Sequence, residues 1–340
     1  MEVSTYDYEY SSETYSTAPP CTLDSVNNLG AQLSILFYFM FLFSFLGNGL
    51  VIFIIHRFEK LTTVTNILLL NLVVSSMIFM SSLPFTGVYL QLSHWIFGKA
   101  LCKVVGTVYY LGFYSSVLFL TLLTFDRHLA VVYSLGALQL RSRSYAAVSC
   151  AVVWLVSSLA CIRPMMIHTT FTYIDNLTYC QEYPGETFID MNLLNKFGFY
   201  IELILFLIFP LVVISYCYVR IAITVMSSKI ITKFKTVRLI FFIVLLFFLC
   251  WTPFNIVKLI HDEAITCEKK LKMGYALEVT RVMAYFYFCS SPIFYTFVGR
   301  KFQNHFRQLL VKHFPWLKNK VSVSQQSRTN MSTKSTRNEL

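Results

Sequence analysis

The sequence predicts an all-α membrane protein: a seven-transmembrane helix bundle followed by a short amphipathic eighth helix. Three observations lead there. Of 340 residues, 56% are hydrophobic and only 13% charged, whereas a soluble domain carries roughly a quarter charged residues. Seven apolar runs lie near 31–55, 65–90, 101–132, 146–167, 196–226, 236–260 and 274–298, each able to supply the about 20 residues that cross a bilayer core. Lys and Arg gather on alternate connections, as they do on the cytoplasmic side of membrane proteins. A water-soluble bundle would need a polar stripe on each outer helix, and "LIFFIVLLFFLCW" (239–251) has none.

Residues 1–30 form an acidic, Tyr-rich segment with Glu2, Asp7, Glu9, Glu13 and Asp24 and no base. It lacks the basic and apolar regions of a cleavable signal peptide, so the first span is expected to act as signal anchor. The bundle occupies 31–298. Connections after its first, third and fifth spans carry Arg57 and Lys60, then Arg141 and Arg143, then Lys229, Lys233, Lys235 and Arg238. That pattern places the N-terminus outside the cell and the C-terminus inside, in a multi-pass protein of the plasma membrane. The formal net charge of +11 is mostly cytoplasmic, which argues against a nucleic-acid partner. Residues 299–316 set Phe302, Phe306, Leu309 and Leu310 along one side among basic residues, the pattern of a helix lying in the lipid interface. It has no Cys to palmitoylate. The tail, 317–340, holds Ser322, Ser324, Ser327, Thr329, Ser332, Thr333, Ser335 and Thr336 among bases. Phosphorylation there would turn a basic segment acidic.

Nine cysteines check the sidedness. Cys150, Cys161, Cys217, Cys250 and Cys289 fall inside spans, where Cys behaves as a small apolar residue. Cys21, Cys102, Cys180 and Cys267 fall on the expected outer side, where disulfides persist. Four cysteines allow three connectivities; Cys102–Cys180 and Cys21–Cys267 are favoured. Asn176-Leu177-Thr178 is a glycosylation sequon on that same side. No Ser-His-Asp grouping, metal-spaced cluster or phosphate loop appears, so neither an enzyme nor a cofactor or metal is expected. Internal repeats of the transporter kind are absent, and no span is rich in ionisable residues.

Each span carries a mark: Gly47-Asn48, then Asn71 and Pro84, then "FDRH" (125–128), Trp154 and Pro164, Pro210 and Tyr218, "CWTP" (250–253), and "SPIFY" (291–295). In this order the marks resemble the rhodopsin-like G protein-coupled receptors from about Gly47 to Phe306. The resemblance implies roles. Asp126 would pair with Arg127 at rest; Arg127, once freed, would pack beneath the C-terminal helix of a G protein, with Tyr218 and Tyr295 closing on it. Pro210, Pro253 and Pro292 would permit kinks, and Trp251 would repack as the pocket above fills. His128 stands where the family has Tyr. Ser76 and Ser291 stand where it has the Asp and Asn that help hold a sodium ion, so no sodium site is expected.

Finer features resemble chemokine receptors. Tyr6, Tyr8, Tyr10 and Tyr15 sit among acids as sulfation candidates, and would steer a basic protein ligand. "HWIFG" (94–98), containing Trp95, "SLP" (82–84), the expected Cys21–Cys267 bridge and "FVGRKF" (297–302) are similar to that family's patterns. Arg281, eleven residues before Pro292, replaces the usual Glu and, with "CEKKLKMGYAL" upstream, looks like the XC-type, or lymphotactin, receptors; CC-type receptors are close behind. The resemblance implies a pocket with Tyr109 at its floor, Thr86 at its minor side, and Glu278 nearly one turn above Arg281. It implies a chemokine ligand and an inhibitory-type G protein driving cell migration and calcium release. The alternatives are a chemokine scavenger without G-protein signalling and, from another class, a channel or transporter.

Overall fold

The computed structural model describes residues 27–59, 63–133, 141–172, 176–182, 191–227, 234–262, 267–298, 300–314 and 316. The first span is α1 (Asn27–Ile54), ending in a π turn over Ile55–Glu59. The second is broken into α2 (Val64–Met80) and α3 (Leu83–Leu92). The break follows from Pro84, which has no N–H to donate and disfavours helical backbone before it. Ser81 and Ser82 take up the loosened carbonyls, donating to Ile78 O and Phe79 O at 2.7 Å each. At the start of α2, the Thr63 side chain caps Asn66 N.

The third span, α4 (Gly98–Val132), has 35 residues and is roughly 50 Å long, well beyond a hydrocarbon core of about 30 Å. Both its ends therefore project into polar regions, and both carry chemistry. The fourth span is α5 (Arg143–Ala160), capped by Ser142, followed by α6 (Ile162–Ile167). An antiparallel hairpin, β1 (His168–Thr172) and β2 (Thr178–Glu182), then pairs His168 with Glu182 and Thr170 with Cys180. The fifth span comprises α7 (Met191–Leu203), a π turn over Ile204–Ile208, and α8 (Phe209–Ser227). Pro210 sits just past that turn, where its missing N–H leaves the ladder one bond short. The sixth span is α9 (Phe234–Asp262) with Pro253 inside it, and the seventh is α10 (Cys267–Val298) with Pro292 inside it. A final helix, α11 (Arg300–His313), follows, with Phe306 and Leu309 packed onto the core.

All seven expected runs are helical, with ends displaced by a few residues. The seventh starts seven residues earlier than 274, because its first two turns are polar and helical. Five of the described helices are long and apolar enough to cross a membrane; in α9 the apolar stretch is the shorter Val244–Ile260. Large apolar side chains such as Leu46, Phe53, Val148, Leu155, Val212 and Val219 face outward, where a soluble protein would place polar ones and a bilayer takes their place.

The spans pack around α4. Gly112 lets α2 approach so closely that a Cβ there would lie 2.4 Å from Phe79 N. Gly47 does the same for Pro292, at 3.0 Å. Trp154 Nε1 donates to Asn71 Oδ1 at 2.9 Å, tying the fourth span to the second. Asn48 donates to Ser44 O at 3.0 Å and Ser44 Oγ at 2.9 Å. Ser76, buried, donates to Leu72 O at 3.0 Å.

Candidate functional site

Chemistry gathers at the two ends of α4, with an aromatic core between. At the inner end Asp126 is fully buried. Its carboxylate accepts from Arg127 Nη2 at 2.8 Å, from Thr65 Oγ1 at 3.0 Å, and from Arg141 Nε and Nη2 at 2.7 and 2.9 Å. The two Arg141 bonds reach separate oxygens, a fork that only a guanidinium makes. In the sequence Arg141 read merely as one of several inner-side bases; nothing local announces that it folds back onto Asp126. His128 is buried among the rings of Phe125, Tyr133 and Tyr216. The Tyr218 hydroxyl is buried without a hydrogen-bond partner, and its ring stands edge-on to Phe241 at 5.2 Å.

Above this, Trp251 is 1% exposed. It stacks on Phe113 at 4.0 Å and meets Phe79, Phe254 and Phe288 at 5.7–6.0 Å. Such a cluster moves as a unit, since no ring can shift without displacing its neighbours. Phe79 also lies 4.9 Å from Tyr109, whose ring in turn meets Tyr110 at 5.1 Å and Tyr285 at 6.2 Å. Tyr109 therefore links the outer part of α4 to the Trp251 cluster.

At the outer end Cys102 is bonded to Cys180, fastening β2 to the top of α4. Trp95 is buried; its backbone N–H donates to Thr178 O at 2.7 Å and its Nε1 to Gly98 O at 2.8 Å. It thereby pins the first outer connection to the hairpin. Thr86, half-buried, donates to Ser82 O at 3.1 Å. Arg281 Nη1 meets Glu278 Oε1 at 3.0 Å, an ion pair one turn apart on α10. Asn176 is exposed, with a positive φ of 59° at the hairpin turn.

A second group of charges under the hairpin went unread in the sequence. Glu182 accepts from the Tyr110 hydroxyl, and Lys258 Nζ lies 3.4 Å from that same oxygen. Arg163 Nη1 stands 3.7 Å from Glu202 Oε2. Burial works against the Glu182 charge, but Lys258, Tyr110, His168 and Arg163 hold its carboxyl at about 2. His168 is pushed below the usual imidazole range, first by burial, with Lys258 and Lys103 adding and Glu182 opposing. Arg163, Glu202 and Lys258 are single ionisable groups in apolar runs and Glu182 and His168 lie on the hairpin; only the fold assembles them. The signal that could have found them is that each such group inside a span is costly and so rarely idle.

Several expected positions lie outside the described residues: Tyr6, Tyr8, Tyr10, Tyr15 and Cys21, the tail serines and threonines from Ser322 to Thr336, and the side chains of Cys267, Ser291, Tyr295 and Phe302. The Cys21–Cys267 pair is among them. Among the described residues no three His, Cys, Asp or Glu side chains group to hold a metal ion.

Residues 47–295 match the family described as 7 transmembrane receptor (rhodopsin family). The chain is 34% identical over 316 residues to C-C chemokine receptor type 3 of Cavia porcellus, covering 90% of this chain and 84% of the relative. It is 34% identical over 334 residues to C-C chemokine receptor type 1 of Homo sapiens, covering 92% of each. It is 36% identical over 299 residues to G-protein coupled receptor E1 of Equine herpesvirus 2, covering 86% of this chain and 77% of the relative.

Proposed function

The chain belongs to the rhodopsin family of seven-transmembrane receptors, in its chemokine-receptor branch, and from that premise we propose that it binds a basic chemokine at its outer face and activates an inhibitory-type G protein at its inner face. The observation that carries the reading is the joint presence of both ends: identity to C-C chemokine receptors along nine-tenths of the chain and a buried Asp126–Arg127 pair at 2.8 Å. The ligand's leading segment enters the chamber bounded by Thr86, Tyr109, Glu278 and Arg281, while its body meets Trp95's loop and the acidic segment bearing Tyr6, Tyr8, Tyr10 and Tyr15. Filling the chamber displaces Tyr109 and the Trp251 cluster; Pro253 and Pro292 let the sixth and seventh spans swing. Arg127 then leaves Asp126 for the G protein, met by Tyr218 and Tyr295. The readout is migration and calcium release. Phosphorylation of Ser322, Ser324, Ser327, Thr329, Ser332, Thr333, Ser335 and Thr336 by receptor kinases recruits arrestin. The receptor sits in the plasma membrane with its N-terminus and glycosylated Asn176 outside, Cys21 bridged to Cys267, no sodium ion between Ser76 and Ser291, and α11 along the inner interface.

An XC-type ligand is favoured by Arg281 with "CEKKLKMGYAL" upstream of it; the relatives favour the C-C type. A scavenging role has Ser76, His128 and Ser291 behind it and the intact Asp126–Arg127 pair against it. The test is a panel of XC- and C-C-type chemokines applied to receptor-expressing cells, with G-protein activation and ligand uptake read together. Activation abolished by Arg127→Ala is expected, and the responding chemokine names the type. Uptake without activation, unchanged by Arg127→Ala, would make the protein a scavenger; silence in both readouts would refute chemokine binding.

A further inference from the structure

One acid stands within the apolar fifth span. Glu202 lies in "FYIELILFLIFP" (199–210), and an ionisable group inside a span calls for a partner or a function. Its partnership is incomplete. Arg163 Nη1 comes only to 3.7 Å from Glu202 Oε2, beyond the roughly 2.7–2.9 Å of a charge-assisted hydrogen bond. That oxygen is buried and accepts no hydrogen bond, an exception among buried polar groups. Glu278 also has a bare Oε2, but its Oε1 holds a guanidinium at 3.0 Å, and Glu182 takes the Tyr110 hydroxyl.

The space beside Glu202 is cut by a glycine. Gly198 precedes it by one helical turn, and a Cβ there would fall 2.1 Å from Arg163 Nε. Arg163 thus crosses α7 over a bare stretch of backbone and approaches the carboxylate from one side. On another side is Lys258, within electrostatic reach of both Glu182 and Glu202. Its ammonium, on a flexible four-carbon stem, lies 3.4 Å from the Tyr110 hydroxyl and 5.6 Å from the Phe199 ring centre.

We infer that Glu202 is the anchor for a cationic group, an ammonium or guanidinium, carried by the leading end of the protein ligand, which completes the hydrogen bonding of Oε2 while Lys258 moves aside. The inference rests on the chemokine-binding reading above. Lys258 is on α9 two turns beyond Trp251, so its displacement acts on the helix that carries Trp251 and its ring contacts. The cation has two sources, the ligand's α-ammonium and the first Lys or Arg side chain of its leading segment.

The probes are a recombinant XC-type chemokine and a recombinant C-C-type chemokine. Each is used native, with its N-terminal amine acetylated, and with the first basic residue of its leading segment replaced by Ala. Binding is measured on the full-length receptor in membranes. Glu202→Gln is expected to weaken the native probe about ten- to a hundredfold, the range of one hydrogen bond to a charged group. One modified probe should lose the same factor on the wild type and nothing further on Glu202→Gln. Loss on acetylation identifies the α-ammonium; loss on the Ala substitution identifies the side chain. Lys258→Met, which removes the competing cation, should tighten native-probe binding severalfold, a gain that misfolding cannot produce. Native-probe affinity unchanged in Glu202→Gln, or no gain in Lys258→Met, would overturn the anchor and leave Glu202 as a buried acid satisfied by water. No probe binding to the wild type would overturn chemokine binding itself, and the anchor with it.

Discussion

Replacing Arg141 by Ala should quiet the receptor rather than release it. Asp126 presents two oxygens in a fully buried site. Oδ1 is taken by Arg141 Nε at 2.7 Å, and Oδ2 is shared among Arg141 Nη2, Arg127 Nη2 and Thr65 Oγ1 at 2.8–3.0 Å. Arg127 therefore holds the carboxylate through one donor, while its Nε is buried without a hydrogen-bond partner. Removing Arg141 empties Oδ1, and a buried carboxylate oxygen without a donor costs free energy. The neighbouring Arg127 supplies the donor by turning its idle Nε edge toward it, and a single-point pair becomes a fork. One added charge-assisted bond is worth about 1.5 kcal/mol, so the resting state should gain about tenfold over the active one. The assay is nucleotide exchange on an inhibitory-type G protein by the full-length receptor in lipid nanodiscs, without agonist. Basal exchange should fall about tenfold in Arg141→Ala and rise in Asp126→Asn, where Arg127 loses its counter-charge. If Arg141→Ala raises basal exchange as Asp126→Asn does, Arg141 is part of the restraint on Arg127, and the competition between the two guanidinium groups is refuted.

Three further outcomes follow from packing and charge. Gly112→Ala sets a methyl 2.4 Å from Phe79 N; backbone cannot yield as a flexible side chain does, so a loss of about 3 kcal/mol is expected, read as a lower apparent Tm and poorer surface expression. Trp154→Phe keeps the ring contact with Phe119 but deletes the bond to Asn71, which should cost about 1 kcal/mol, a loss that thermal unfolding in detergent would detect; Asn71→Leu added to it should cost little more, both partners then being gone. The Glu182 carboxyl lies at about 2 when folded, against an ordinary 4.5, so its stabilising contribution is fully present above about 4.5 and is lost as pH falls through 2. In a His168→Gln background, which removes the neighbouring titration, the Tm gap between Glu182 and its Gln substitution should stay constant from pH 7.4 to 5; a gap that closes in that window would show Glu182 unpaired.

The sequence by itself determined the seven spans, because a bilayer imposes one long apolar run per crossing and that demand is local. It marked where Pro210 loosens the ladder for the same reason, since a missing N–H acts within one turn; the break before Pro84, inside an apolar run that reads as continuous, emerged only in the fold. The Cys102–Cys180 bridge was legible as one of three connectivities, since so few cysteines fall on one side; geometry selected it. Charged partnerships were not legible. Arg141 and Asp126 are 15 residues apart, Thr65 and Asp126 are 61, and Tyr110 and Glu182 are 72. Hydropathy marks where an ionisable residue sits along a helix but not which way it faces or which helix stands opposite. The way the connection before α5 folds back decided that Arg141 grips Asp126 beside Arg127, and the hairpin laid over the outer end set Glu182 against Tyr110. Packing also brought Glu182, Glu202, Arg163 and Lys258, each isolated in its own segment, within electrostatic reach of one another. The rotation of each span about its axis is set by the close approaches at Gly47, Gly112 and Gly198 and by the interlocked rings around Trp251, which exist only once the helices are packed.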